Sequence, residues 1–265
     1  TGLESRLGRP VVLAQHCEVH ELAEGGYMHE GEWSSLLGIP GQPAEAEELM
    51  VMRDIALSKM TGARIHFQHL STSGSVQMVR EAKALGLPIT AEATTHHFTL
   101  TDSACSCYDP VFKVHPPLRT ESDLKAIKEG LADGTIDAIA TDHAPHSQHS
   151  KEMPFDQAPP GMLGLETALS LSLEYSGLDL PAVLGMLSWQ PAKIAGVDDR
   201  HGMTVEKGNP ANLCVIDLDE TWTVSGKQMS SRSSNTPYEG WNLRGRVRHT
   251  LNNGLLVVFD GESTK

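Results

Sequence analysis

The chain has 265 residues, of which 39% are hydrophobic and 21% charged, a balance that fits a soluble globular protein and excludes disorder over its whole length. Its 21 Lys and Arg against 34 Asp and Glu give a formal charge of −13, which argues against a protein that grips a phosphate backbone, because counterion release needs clustered cations. No run approaches the ~18 apolar residues of a membrane span, and the first residues lack the order of a signal peptide. A cytoplasmic protein with neither nucleic acid nor membrane as partner is expected.

From residue 10 to about 195, short apolar runs alternate with helical patterns, the order of repeated βα units on a parallel sheet. The run 11–14 leads to Gln15 and His16, and the run 65–67 leads to Gln68 and His69. The run 88–91 leads to Thr94, Thr95, His96 and His97, and the run 136–140 leads to Thr141 and Asp142. Between them, residues 43–60 carry Pro43 in the first turn, Glu45, Glu47 and Glu48 early, Lys59 late and Gly62 just beyond. That order suits the helix dipole and a glycine stop. A second helix is predicted over 75–85, closed by Gly86, and a third opens at Thr120 with Asp123 as capping-box partner. Residues 165–178 and 180–195 are predicted helical as well. Segments 17–42, 98–119 and 143–163, rich in Gly, Pro, His and Ser, are read as long loops, and loops of that length are usually functional. Beyond residue 200, turn residues separate β-rich runs at 213–217, 221–224, 246–250 and 255–259. The expected division is therefore a βα unit over 1–200 and a small β appendage over 201–265.

In parallel α/β architectures, ligands bind where the strands end, so polar residues that terminate successive strands meet at one mouth. His16, His69, His96 and Asp142 satisfy that condition, and imidazole with carboxylate is the ligand set of catalytic zinc. One strand-end histidine alone is commonly a hydrogen-bonded structural residue; four together favour a metal site. Asp142 sits in T-D-H-A-P-H at 141–146. A carboxylate there can ligate a metal, take a proton from attacking water as general base and return it to a leaving nitrogen. His146, four residues on, can donate a hydrogen bond to substrate. The four cysteines, Cys17, Cys105, Cys107 and Cys214, form no C-x-x-C pair and are read as reduced thiols. Met50, Met52 and Met60 are expected to pack on a helix face. Arg244, Arg246 and Arg248 are expected on one solvated face, and Arg119 either steadies the adjacent loop or forms a surface ion pair.

The motifs A-Q-H-C-E at 14–18, F-Q-H-L-S-T at 67–72, T-H-H-F at 95–98, V-H-P-P-L-R at 114–119, I-A-T-D-H-A-P-H at 139–146 and P-G-M-L-G-L-E-T at 160–167 together resemble dihydroorotases of the bacterial class I type, within the amidohydrolase superfamily. G-N-P-A-N-L at 208–213 and N-T-P-Y-E-G at 235–240 resemble that family's closing β segment. The resemblance implies a metal-dependent (β/α)8 TIM-like barrel with two zinc ions per subunit. It implies interconversion of N-carbamoyl-aspartate and dihydroorotate in pyrimidine synthesis. By matching motifs, His16 and His69 would ligate one zinc, and Asp142 would ligate the other and act as acid and base. His115, His146, Pro160 and Gly161 fall where the family contacts substrate, the last two through backbone groups. His96 and His97 lie in a family motif but are not assigned to metal.

Two departures stand out. Where the family motif has Asn, this chain has His115. The family's H-x-H motif with its following Arg, and the carboxylate that bridges the metals, have no counterpart upstream of His16. The chain thus resembles the C-terminal half of the barrel, with its β tail, from a longer protein, and its start, Thr1-Gly2-Leu3 without Met, agrees with that. A half-barrel with open sheet edges is expected to be marginal or to self-associate. Competing expectations are another cyclic amidase (dihydropyrimidinase, hydantoinase or allantoinase) and a non-catalytic partner that supports aspartate transcarbamoylase.

Overall fold

The computed structural model describes residues 11–264. Thr1, Gly2 and Leu3, with the rest of the first ten residues of the expected βα unit, lie outside the described part. The first strand, β1 (Val12–Gln15), is followed by α1 (His20–Ala23), β2 (Met28–His29), α2 (Glu32–Leu37) and β3 (Gly41–Gln42). Segment 17–42, read from the sequence as a loop, is therefore partly ordered into short elements. At the start of α2 the Ser34 hydroxyl accepts from the Gly31 amide at 2.9 Å, and Gly38, at φ 66°, ends the helix in the left-handed conformation that glycine permits.

The long helix α3 (Glu45–Thr61) leads into β4 (Arg64–Phe67), α4 (Ser73–Ala84) and β5 (Ile89–Thr94). Three 3-10 turns between Thr95 and Phe112 precede α5 (Glu121–Ala132) and β6 (Ala138–Ala140). The predicted cap of α5 is present, with Thr120 Oγ1 accepting from the Asp123 amide and the Asp123 carboxylate accepting from the Thr120 amide. Strands β1, β4, β5 and β6 pair parallel in that order. These are the four apolar runs of the sequence.

Register then sorts the side chains. Leu13, Ile65 and Ile89 are directly opposite one another, while Ala14, His66 and Thr90 share the other face. The first face meets the helices, where Val51, Val76, Val79, Ile127 and Leu131 close over Ile65, Phe67, Ala91 and Ala93. Each such fully buried aliphatic contributes about 1.5–3 kcal/mol of transfer free energy. The second face is polar: His66 bonds Thr90 Oγ1 at 2.9 Å and Glu92 Oε2 at 3.1 Å. Leu13 remains 52% exposed because β1 is an edge strand among the described residues.

After α6 (Gln148–Lys151) come α7 (Ala168–Tyr175), α8 (Leu180–Leu187) and α9 (Trp189–Ala195). The single helix predicted over 180–195 is broken at Ser188, at φ −133°. Pro191 explains the break: a continuous helix would place its ring against the carbonyl of Leu187 and leave that carbonyl without a donor. The appendage is an antiparallel sheet of β7 (Leu213–Thr223), β8 (Asn242–Asn252), β9 (Leu255–Phe259) and β10 (Glu262–Ser263). β7 joins two predicted runs through an irregularity between Asp217 and Thr221, where Asp217 Oδ1 accepts from the amides of Asp219 and Glu220. Leu243, Val224 and Tyr238 share a core with Leu118, Met162 and Leu171, so the appendage is packed on the βα unit.

Two expectations about single residues are corrected. Met50 packs against the core, but Met52 and Met60 are 53% and 74% exposed, since they fall on the solvent side of α3. Of the two readings of Arg119, the surface ion pair is the one corrected: the side chain is buried and steadies the adjacent loops, as described below. Arg244, Arg246 and Arg248 do share a polar face, paired with Asp219, Glu220 and Asp260.

Candidate metal and active site

His16 follows β1 and His69 follows β4, and their rings meet edge-on with His16 Nδ1 3.1 Å from His69 Nε2. His69 and Asp142 both adopt positive φ, 33° and 43°, a region that side-chain-bearing residues enter only when the surroundings enforce it. Backbone bonds supply that enforcement around His69: Gln68 donates to the Gln15 carbonyl at 3.0 Å and Leu70 to the Glu92 carbonyl at 2.9 Å. Burial holds His69 below the usual imidazole range, His16 pushes the same way, and the Asp142 charge acts against both. Asp142 is thus electrostatically part of this mouth.

Immediately beyond His69, the loop is fixed by Glu47 of α3. Its carboxylate, 2% exposed, accepts from the amides of Ser71 at 3.1 Å and Thr72 at 3.2 Å and from the Ser71 hydroxyl. Arg119 completes the network, with Nε on Ser71 Oγ at 3.1 Å and Nη1 on the Gln42 carbonyl at 2.9 Å and His29 Nδ1 at 3.1 Å. This explains its burial: it binds the ends of β2 and β3 to the segment after β4. Burial lowers the pKa of Arg119, and the nearby carboxylates, Glu47 first, oppose that.

The 143–163 segment is tied back at several points. His146 Nε2 donates to the Pro160 carbonyl at 2.8 Å, so three of the residues expected to contact substrate, His146, Pro160 and Gly161, lie side by side. Gly161 has φ +129°, and a Cβ there would come 2.6 Å from Ala144 Cβ and 2.8 Å from His146 Nε2. Asn235 staples the two loops, its amide donating to the carbonyls of Ala144 at 3.0 Å and Gly161 at 3.2 Å while Oδ1 accepts from the His146 amide. Lys151 donates to the carbonyls of Pro110 and Pro159, each at 2.9 Å, and burial brings it down to about 8. Lys113 donates to the carbonyls of Phe155 and Asp156.

His115, the fourth residue expected to contact substrate, faces Glu18, and its own segment meets that group where the Gly161 amide donates to the Lys113 carbonyl at 2.8 Å. Glu18 Oε2 is 3.6 Å from His115 Nδ1 and 3.6 Å from His16 Nε2. Burial lowers the pKa of His115, which Glu18 opposes. His97 bridges Thr94 Oγ1 and the Pro116 carbonyl, and His96 is buried beside it. Glu18, Glu47, Asn235 and the two lysines were given no role from sequence. Glu18 and Asn235 lie within the family motifs and Glu47 in the first turn of a predicted helix, but nothing in a linear pattern says which backbone groups a carboxylate, amide or ammonium will reach.

The donor set was tested against zinc. Two imidazole nitrogens on one tetrahedral zinc lie ~3.3 Å apart, given Zn–N bonds of about 2.0–2.1 Å. The His16–His69 separation of 3.1 Å fits one edge of such a site. Among the described residues, no group of three or more His, Cys, Asp or Glu gathers closely enough to hold a metal. The pair fits, and Asp142 stands outside it.

A parallel βα sheet whose strand ends carry a paired-histidine mouth is the architecture of barrel hydrolases, and the amidohydrolase family model matches residues 35–257. The chain belongs to the amidohydrolase family. It is 48% identical over 257 residues to a dihydroorotase of Streptomyces coelicolor, covering 96% of this chain and 60% of the relative. It is 47% identical over 265 residues to a dihydroorotase of Mycobacterium leprae, covering 97% and 60%. Among solved structures, it resembles an L-hydantoinase (dihydropyrimidinase) from Arthrobacter aurescens with a TM-score of 0.86 at 26% identity, covering 98% of this chain and 59% of that one. A D-hydantoinase (dihydropyrimidinase) from Thermus sp. matches with a TM-score of 0.82 at 26% identity, covering 96% and 58%. The chain spans about 60% of the length of the curated relatives it matches.

Proposed function

We propose that the protein carrying this chain is a zinc-dependent cyclic amidohydrolase that interconverts N-carbamoyl-aspartate and dihydroorotate in pyrimidine synthesis, acting in the cytoplasm. The observation that carries the proposal is the 48% identity to a dihydroorotase across 96% of the chain, against 26% to the hydantoinase structures.

His16 Nδ1 and His69 Nε2 would hold one zinc and Asp142 a second, and zinc supplies Lewis-acid polarisation of a carbonyl. This chain's own residues do the rest. Asp142 receives a proton from the attacking water on its carboxylate and delivers it to the ring nitrogen as the amide C–N bond breaks. The left-handed backbone at Asp142 and the His143–Met162 bridge that follows fix the backbone from which that carboxylate projects. The Pro160–Gly161 backbone is fixed by His146, Asn235 and Lys151 and by the Gly161 amide donating to the Lys113 carbonyl at 2.8 Å, so its carbonyls, each with a second lone pair, can accept from the N–H of an imide ring at low cost in ordering.

The test is a substrate panel on the zinc-loaded protein: dihydroorotate, dihydrouracil, hydantoin and allantoin. Selective turnover of dihydroorotate, abolished by Asp142→Asn, is expected. Preference for hydantoin or dihydrouracil would assign it to the other cyclic amidases, and zinc-loaded protein with no turnover of any of them would favour the non-catalytic role.

A further inference from the structure

Among the described residues, Glu18 is the one acidic side chain that lies within ion-pair distance of two of the functional residues named above, and the mechanism does not use it. His69 Nε2 faces His16 Nδ1 at 3.1 Å, His16 Nε2 faces Glu18 Oε2 at 3.6 Å, and the same oxygen faces His115 Nδ1 at 3.6 Å. The side chains form a line: His69, His16, Glu18, His115. Glu18 is partly shielded, at 23% exposure, so its charge is felt by both rings.

A carboxylate beside one ring nitrogen favours the proton on that nitrogen and leaves the other as an acceptor. At His16 this puts the proton on Nε2 and frees Nδ1, the nitrogen turned toward His69. At His115 it puts the proton on Nδ1 and leaves Nε2 as an acceptor, the less common tautomer of free histidine. A neutral Asn at position 115 would have little charge interaction with Glu18, so the histidine of this chain creates the second half of the line.

We propose that Glu18 is a positioning residue that fixes the tautomers of His16 and His115 together, orienting the first toward metal and making the second a hydrogen-bond acceptor for an amide N–H of the substrate. Its link to substrate rests on the cyclic-amide reading, but the tautomers do not.

The test is side-chain 15N NMR of the histidines in the zinc-free chain at pH 8, with Glu18→Ala, Glu18→Gln and His115→Asn compared. The wild type is expected to show His16 protonated on Nε2 and His115 on Nδ1. Glu18→Ala should return His115 to a majority of Nε2–H and mix the His16 tautomers. Glu18→Gln, which keeps an acceptor oxygen, should preserve much of the pattern, and His115→Asn should leave His16 unchanged. A wild-type His115 protonated mainly on Nε2 overturns the proposal without any variant, as does a pattern indifferent to Glu18→Ala. Zinc competition against a chromophoric chelator adds a second readout, with Glu18→Ala expected to weaken binding about 10–100-fold, the usual cost of a lost supporting carboxylate. Tautomers as expected with no dihydroorotate turnover would sink the substrate assignment alone.

Discussion

Replacing Glu47 with Ala removes the acceptor of two buried amides and the Ser71 hydroxyl, and leaves Arg119, 4% exposed, without its foremost carboxylate. Each buried donor left without its acceptor costs ~1–3 kcal/mol. With the Ser71 and Thr72 amides both orphaned, and Asp123, Glu48 and Glu45 still acting on Arg119, the expected loss is about 3 kcal/mol. Glu47→Gln keeps one oxygen for the amides and loses only charge, so about 1–2 kcal/mol is expected for it. Urea unfolding followed by circular dichroism reads both. With a slope of ~1–3 kcal/mol per molar, the Ala variant should unfold at least ~1 M earlier. A loss below ~1 kcal/mol for Glu47→Ala, at unchanged slope, would refute the account of how the His69 loop is held.

Asn235→Ala should cost ~2 kcal/mol, since the Ala144 and Gly161 carbonyls and the His146 amide lose their partner, and the His146 amide should exchange faster with solvent; protection equal to wild type would contradict the staple. Gly161→Ala forces a Cβ into Ala144 and His146 at a backbone angle that side chains avoid, so a thermal melt should show a loss of about 2 kcal/mol or more, and a melt within a degree of wild type would count against that geometry. For His97, burial brings the folded-state value from 6.5 down to about 3. Its contribution to stability is fully present above pH 6.5 and is lost as pH falls from 6.5 toward 3, by up to ~1.4 kcal/mol per pH unit. His97→Gln should flatten that part of the urea midpoint profile between pH 7 and 5, and identical slopes would show that His97 is not buried neutral.

Much of the βα order could be read from the sequence because its causes are local. Apolar runs of strand length, the Thr120–Asp123 cap and the Gly62 stop each act within a few residues. The break at Ser188 was also local, and Pro191 carried the signal. What stayed hidden depends on tertiary neighbours. Arg119 looks like a surface residue until α3 and the β4 loop bring Glu47 and Ser71 to it. Met52 and Met60 look like core until α3 is placed with that side to solvent. For the site, His16, His69, His96 and Asp142 stood out because strand ends converge, and the family motifs added His115, Pro160 and Gly161. The amide of Asn235 did not, because its three partners lie more than 70 residues away in sequence. The placement of His115 beside Glu18 likewise required the folded chain.

The most direct test is a zinc titration of the purified chain by chelator competition, repeated with His16→Ala and His69→Ala. The account predicts one zinc shared by the two imidazoles, with each variant binding at least tenfold more weakly. Zinc affinity unchanged in either variant, or no zinc bound by the wild-type chain, would contradict the paired-histidine site on which the proposed function rests.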